Sequence, residues 1–188
     1  GDVRNASFIE AFAAAVREAF GPATLLLNNA AFLPADVNAR LPALFEVDNE
    51  VFRDVMETNV LGLQYVLRSF VPQMVASKRG VVINLSAIGG RLPSWKVGGY
   101  GWGAYLASKW AVEGLTKALA FELPAPLAAV TLNPGVVNTP LLARSYGAEA
   151  ESYASVAWWA NLTLPMLLGV SRRQNGASLT SPAAPRQF

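Results

Sequence analysis

Thr24-Leu25-Leu26-Leu27-Asn28-Asn29-Ala30-Ala31 is the stretch that decides how this chain folds. Its apolar run shows no alternation with polar residues, so both faces of a strand here must be covered. That is the signature of a buried parallel strand between layers of helices. The break at Asn28-Asn29 puts two amides at the strand's carboxyl end, where open α/β sheets gather their ligands.

Working outward, residues 7–20 read as a helix. Ser7 can cap it, Phe8, Phe12, Val16 and Phe20 form its stripe, and Gly21-Pro22 ends it. Downstream, a loop rich in proline and alanine leads to Asp48, a good N-cap, and to a helix over 50–74 that Pro72 is expected to kink or end. Asn59 in its middle is locally unfavourable, so its side chain either has a task or faces solvent. Lys78-Arg79-Gly80 turns the chain into a second strand, Val81-Val82-Ile83-Asn84-Leu85-Ser86. An irregular, glycine-rich connection precedes a helix over 104–122, and a third strand, Ala129-Val130-Thr131-Leu132-Asn133, stops at Pro134-Gly135. A fourth helix is expected over 149–168. Strands alternating with helices of this length specify an α/β, doubly wound parallel sheet with right-handed crossovers. One domain is expected over residues 1–180, with 181–188 as a loose tail.

Composition narrows the chemistry. A chain of 188 residues, 53% hydrophobic, can bury one real core. It has no cysteine and no histidine, which excludes disulfides, Cys/His metal sites, cysteine nucleophiles and histidine-dependent triads. A net charge of +2 from scattered basic residues offers no stripe for a phosphate backbone, so nucleic acid is not an expected partner. The longest apolar run, 156–170, is broken by Asn161 and Pro165 and is shorter than the ~20 residues a bilayer requires, so no membrane span is expected. The chain opens at Gly1, as it would after removal of a leader or inside a longer polypeptide, and no compartment is assigned.

The helix over 104–122 contains Tyr105 and Lys109, a turn apart on one face. A phenol beside an ammonium is an acid/base pair, and the positive charge is expected to lower the phenol's pKa toward working pH. The spacing alone better fits a partly exposed tyrosine beside a solvated lysine. What favours chemistry is convergence: Asn28-Asn29, Ser86 and Pro134-Gly135 end three strands on one edge of one sheet, and Tyr105 opens the helix after the second.

On these residues the chain resembles the short-chain dehydrogenase/reductase family. Asn28-Asn29-Ala30-Ala31 is similar to its Asn-Asn-Ala-Gly element, and Thr58-Asn59-Val60-Leu61-Gly62 to the segment with its catalytic asparagine. Tyr105-Leu106-Ala107-Ser108-Lys109 fits Tyr-x-x-x-Lys, and Asn133-Pro134-Gly135-Val136-Val137-Asn138-Thr139 resembles the Pro-Gly-x-x-x-Thr stretch beside the nicotinamide. Three segments, Ser108 to Leu115, Leu132 to Thr139 and Asn175 to Thr180, look most like the plant-type NADPH-dependent pterin aldehyde reductase branch. The resemblance implies a Rossmann-like fold lacking its first two strands and glycine-rich turn. It also implies an oxidoreductase that moves a hydride between NADP(H), with NAD(H) open, and a small-molecule carbonyl. Tyr105 would exchange the proton, Lys109 would tune it and hold the ribose, Ser86 would polarise the carbonyl, and Asn59 would anchor a relaying water. Asp2 and Val3 would contact adenine, Asn29 and Ala30 would line the adenosine side, and Pro134, Gly135, Val137 and Thr139 would border the nicotinamide and diphosphate.

Three departures are equally plain. The usual Ser-Ser reads Ser86-Ala87, so alanine occupies the catalytic place unless Ser86 shifts or Ser94 is presented by the following loop. That loop is about five residues longer than usual, and its Gly99-x-Gly101-x-x-Ala104 imitates a dinucleotide fingerprint without following a strand. The absent glycine-rich turn removes the diphosphate's main anchor and leaves an apolar edge at residues 24–27. A second reading therefore stands beside the enzyme: a catalytically impaired relative acting as a structural subunit, with homo-oligomer or larger complex as the expected assembly. Trp158-Trp159 is expected to pack a helix under the substrate mouth, or to stack on a flat pterin.

Overall fold

The computed structural model describes residues 1–34, 42–92 and 101–184. The first helix, α1 (Ala6–Phe20), is capped by Asn5 rather than Ser7. Asn5 Oδ1 accepts from the Phe8 amide at 2.9 Å and from Ser7 Oγ at 2.9 Å, so the serine buttresses the cap instead of making it. Gly21, at φ +80°, ends the helix as expected, its N–H bonded to Arg17 O. Strand β1 (Leu25–Asn28) follows.

Asp48 caps α2 (Asn49–Met56), accepting from the Glu50 amide at 2.7 Å. This helix passes through a π-helical turn, Glu57–Leu61, into α3 (Gly62–Ala76). Pro72 neither ends nor delimits it. Phe70, Val71 and Met74 are buried on both sides of the proline, and their packing holds the last turn that the missing N–H would otherwise release. Strand β2 (Val81–Leu85), helix α4 (Gly103–Glu122) and strand β3 (Ala128–Asn133) come next.

The C-terminal part is more structured than its composition suggests. A short pair, β4 (Val137–Asn138) with β5 (Ala154–Ser155), brackets α5 (Pro140–Tyr146). Helix α6 (Val156–Leu168) begins at Ser155, whose Oγ accepts from the Trp158 amide, and not near Glu149, which lies in a 3-10 turn. A further strand, β6 (Ser178–Thr180), pairs with β3. Beyond it Ser181 and Ala183 are buried, and Ser181 Oγ lies 2.6 Å from Thr163 Oγ1. Residues 181–184 thus pack under α6 instead of trailing as a tail, and 185–188 lie outside the described residues.

The main sheet runs β1-β2-β3-β6, every pair parallel, as the uninterrupted apolar runs require. All six residues of β3 are buried. Alternate side chains feed two cores. Val82 and Ala129 pack with Leu67, Val71 and Met74 of α3 and Val112 of α4, whereas Ile83, Val130 and Leu132 pack with Leu167 of α6. Each such valine, leucine, isoleucine or methionine side chain removed from water contributes roughly 1.5–3 kcal/mol. The outer edge of β1 is unpaired among the described residues, and Leu25 and Leu27 remain 40% and 45% exposed there. This Rossmann-like α/β architecture directs the carboxyl ends of β1, β2 and β3 to one side.

Candidate active site

The strand exits are joined from within. Asn28 Nδ2 donates to Asn84 Oδ1 at 2.7 Å, Asn84 Nδ2 to Thr116 Oγ1 at 2.8 Å, and Thr116 Oγ1 to Val112 O at 2.7 Å. Asn84 and Thr116 are fully buried, so each partner must be satisfied inside the protein. The chain of amides locks β1 and β2 to α4 and so fixes where α4 begins.

Asn59 has a task and does not face solvent. It is 3% exposed in the π-helical turn, a distortion that recurs at functional sites. Its Oδ1 accepts from the Phe32 amide at 2.7 Å, while Nδ2 donates to Phe32 O at 3.0 Å and to Ser108 Oγ at 2.9 Å. Ser108 Oγ in turn donates to Tyr105 O at 2.6 Å. The side-chain amide therefore ties the β1 exit to the Tyr105 helix. Asn59→Ala strands Phe32 and Ser108 in a buried setting and is expected to cost about 2–3 kcal/mol, read from denaturant midpoints.

Tyr105 and Lys109 face the same way. Lys109 is 3% exposed, its Nζ lies 5.4 Å from the centroid of the Tyr105 ring, and it donates to Leu85 O at 3.0 Å. Trp102 packs edge-on against the tyrosine, with centroids 6.3 Å apart. The electrostatics differ from the expectation drawn from sequence. Burial pushes the phenol up to about 12 and the ammonium down to about 8, because each loses water and the lysine's hydrogen bond goes to a carbonyl rather than to the phenol. Tyr105 is thus a protonated donor throughout the physiological range, and Lys109 changes charge near its upper end. Proton donation assisted by the ammonium should fall as pH rises through about 8, which a pH–rate profile checks. The sign for folding is opposite. Between about 8 and the ordinary lysine value the unfolded chain binds the proton and the folded chain does not, so this group's contribution to stability rises with pH.

Ser86 is buried at the β2 exit, its hydroxyl 3.5 Å from Ala87 O. Strand alternation puts it with Asn84 and Val82 on the α4 side, and its hydroxyl helps to stabilise the Glu113 carboxylate. Burial pushes Glu113 up, but bonds from Ser86, Arg91, Ser178 and Thr131 together hold it below the ordinary carboxylate range. Ala87 follows in extended conformation, on the opposite side and partly exposed. Gly90 closes the turn after it, where a Cβ would lie 2.8 Å from the Lys109 carbonyl oxygen, so only glycine lets this turn rest on α4. Ser94 and Gly99 lie outside the described residues, and Gly101, at φ +79°, stands before α4.

Of the residues expected to hold a cofactor, Val3, Asn29 and Ala30 line a cavity of about 280 Å³ together with Asn59 and Lys109. Val3 also packs onto Gly62, where a Cβ would come within 2.7 Å of its side chain. Asp2 stays on the surface, bonded to Arg4 at 2.8 Å. Pro134, Gly135, Val137 and Thr139 follow β3 and do not line this cavity. Pro134 O accepts from Trp159 Nε1 at 2.9 Å, which seats α6, while Trp158 is half exposed. Gly135 sits at φ +75° against Ala184, and Thr139 caps α5 by accepting from the Leu142 amide. Sequence reasoning missed Arg91 and Glu113. The available signal was Glu113 itself, a charge four residues after Lys109 on the inward face of an apolar helix.

Residues 1–150 match the family model described as short chain dehydrogenase. The chain belongs to the short chain dehydrogenase family. It is 38% identical over 179 residues to the NADPH-dependent pterin aldehyde reductase of Arabidopsis thaliana, covering 95% of this chain and 70% of the relative. It is 36% identical over 144 residues to a galactitol 2-dehydrogenase (L-tagatose-forming) of Cereibacter sphaeroides, covering 74% of this chain and 52% of the relative. A protein from Escherichia coli CFT073 described as a short chain dehydrogenase, solved with NADPH, superposes with a TM-score of 0.79 at 25% identity, over 96% of this chain and 71% of that one. This short chain dehydrogenase thus spans about half to seven-tenths of the length of the relatives it matches.

Proposed function

We propose that this short chain dehydrogenase carries the proton-transfer side of an NADP(H)-dependent oxidoreductase that reduces a carbonyl on a small molecule. The observation that supports the reading is the buried Lys109 ammonium 5.4 Å over the Tyr105 ring, in the cavity wall beside Asn59. When bound, NADP(H) supplies the hydride. Lys109 and the Asn29 amide give that cavity donors suited to sugar hydroxyls, with Val3 and Ala30 beside them, so its lining fits a ribose of the cofactor, while Gly135, Val137 and Thr139 would meet the cofactor outside this cavity. The described residues include no glycine-rich strand-turn-helix for the diphosphate. Tyr105 Oη would give its proton to the carbonyl oxygen, and the Lys109 charge would stabilise the phenolate left behind. Pterin aldehydes are the first substrates to try, because the Arabidopsis relative is named for one. Titration of the full-length product with NADPH should give a saturable change in nicotinamide fluorescence, whereas no change at millimolar NADPH would overturn the reading.

Ala87 and the exposed Leu25 and Leu27 favour a second reading, a catalytically impaired subunit whose β1 edge is covered by a partner in a homo-oligomer or larger complex. A monomeric, cooperatively folded 188-residue chain would count against it.

A further inference from the structure

Helices α1, α2, α5 and α6 each begin on a side chain that accepts a backbone N–H: Asn5, Asp48, Thr139 and Ser155. Helix α4, which carries Tyr105, does not. Its N-cap is Trp102, whose carbonyl accepts the first helical bond from Leu106 at 2.8 Å but whose side chain makes no capping bond. Indole offers only an N–H, where the orphan N–H groups of a helix start call for an acceptor. What Trp102 contributes must therefore come from its ring.

That ring has two aromatic partners. It meets Tyr105 with centroids 6.3 Å apart and planes at 88°, and Tyr146, the last residue of α5, at 6.0 Å and 85°. Tyr146 in turn meets Tyr153 at 5.8 Å and 78°. These are the edge-to-face geometries that aromatic quadrupoles favour. The backbone on either side of the indole is constrained as well: Gly101 takes φ +79°, and a Cβ on Gly103 would lie 3.0 Å from the Leu44 side chain. Helix α5 has no buried residue of its own, and the pairing of β4 with β5 closes the excursion it belongs to at the base. Through Tyr146 it reaches the start of α4.

Tyr105 lies in the first turn of α4, where helices fray. Trp102 stands three residues before it and Lys109 four after, so the phenol ring is flanked along one helical face by an indole and an ammonium.

We propose that Trp102 is a positioning residue for the proton donor: its ring stands in for a helix cap, holds the Tyr105 ring in place, and couples that placement to the seating of α5 through Tyr146. This rests on the donor role given to Tyr105 above.

Trp102→Ser separates the ring from the fold, because serine is a good N-cap and restores the capping bond that tryptophan lacks. In the full-length product, single-turnover oxidation of bound NADPH by an aromatic aldehyde is expected to slow by roughly 10–100-fold, the scale set by a donor misplaced by about an ångström. KM for the aldehyde should change far less. Trp102→Phe keeps an edge-to-face partner and should stay within about threefold of wild type. A second readout needs no activity: fluorine NMR of the full chain labelled with meta-fluorotyrosine, the Tyr105 line assigned with Tyr105→Phe. That line should move toward the shift of a solvated fluorotyrosine in Trp102→Ser. It should also move, by less, in Tyr146→Leu, although the contact between the two tyrosines runs through the indole. Tyr146→Leu leaves the sequence of α4 intact and decides the matter if Trp102→Ser does not fold. A Tyr105 line that is the same in these proteins, or a raised KM with the single-turnover rate unchanged, overturns the proposal. Displaced lines in a protein that reduces no carbonyl would uphold the clamp on Tyr105 while removing the donor role it serves.

Discussion

Tyr105→Phe is expected to lower the rate of carbonyl reduction by ~10³-fold or more, within the range attributed to a positioned proton donor, while NADPH affinity changes far less. The substitution keeps the ring, its edge-on contact with Trp102 and the seat of the Lys109 ammonium. Only the oxygen that holds the transferable proton is removed. No histidine is available to take its place. Single-turnover oxidation of bound NADPH, followed at 340 nm with an aromatic aldehyde in excess, measures the step directly. A residual rate near that of wild type would mean that the proton comes from elsewhere.

The second large effect is a gain. Ala87 stands in extended backbone at the β2 exit, partly exposed. A hydroxyl there would be a carbonyl-polarising donor of the kind whose loss costs on the order of 10²-fold. Ala87→Ser is therefore expected to raise kcat by up to roughly that factor, with little change in stability, since serine suits an extended, partly exposed position. An unchanged rate would show that the substrate carbonyl does not approach the β2 exit, and a lower rate that the alanine's methyl group is part of the substrate's seat. Steady-state kinetics of the two proteins side by side is sufficient.

Much of this was legible in the residues. Three parallel strands followed from apolar runs without alternation, and Asn59 declared itself by being a poor helix residue in a long helix. What stayed hidden was decided by contacts between distant segments. The Pro72 helix continues because buried Phe70 and Met74 hold it, a tertiary effect that overrides local propensity. Strand β6 spans three residues and is specified by pairing with β3 rather than by its own pattern. Ser86 and Ala87 are adjacent in sequence but face opposite sides, so only the register of β2 against β3 shows which of them meets Glu113. Helical spacing puts Tyr105 and Lys109 on one face, where the ammonium lies 5.4 Å from the ring centroid, but the pair's electrostatics depend on burial, which spacing does not report.

The central claim is that Tyr105 and Lys109 act as one unit, and a double-mutant cycle on the hydride-transfer rate tests it most directly. If they do, Lys109→Met added to Tyr105→Phe should cost almost nothing further, because groups acting together are grossly non-additive. Losses that multiply, with the double variant slower by the product of the two single effects, would contradict it.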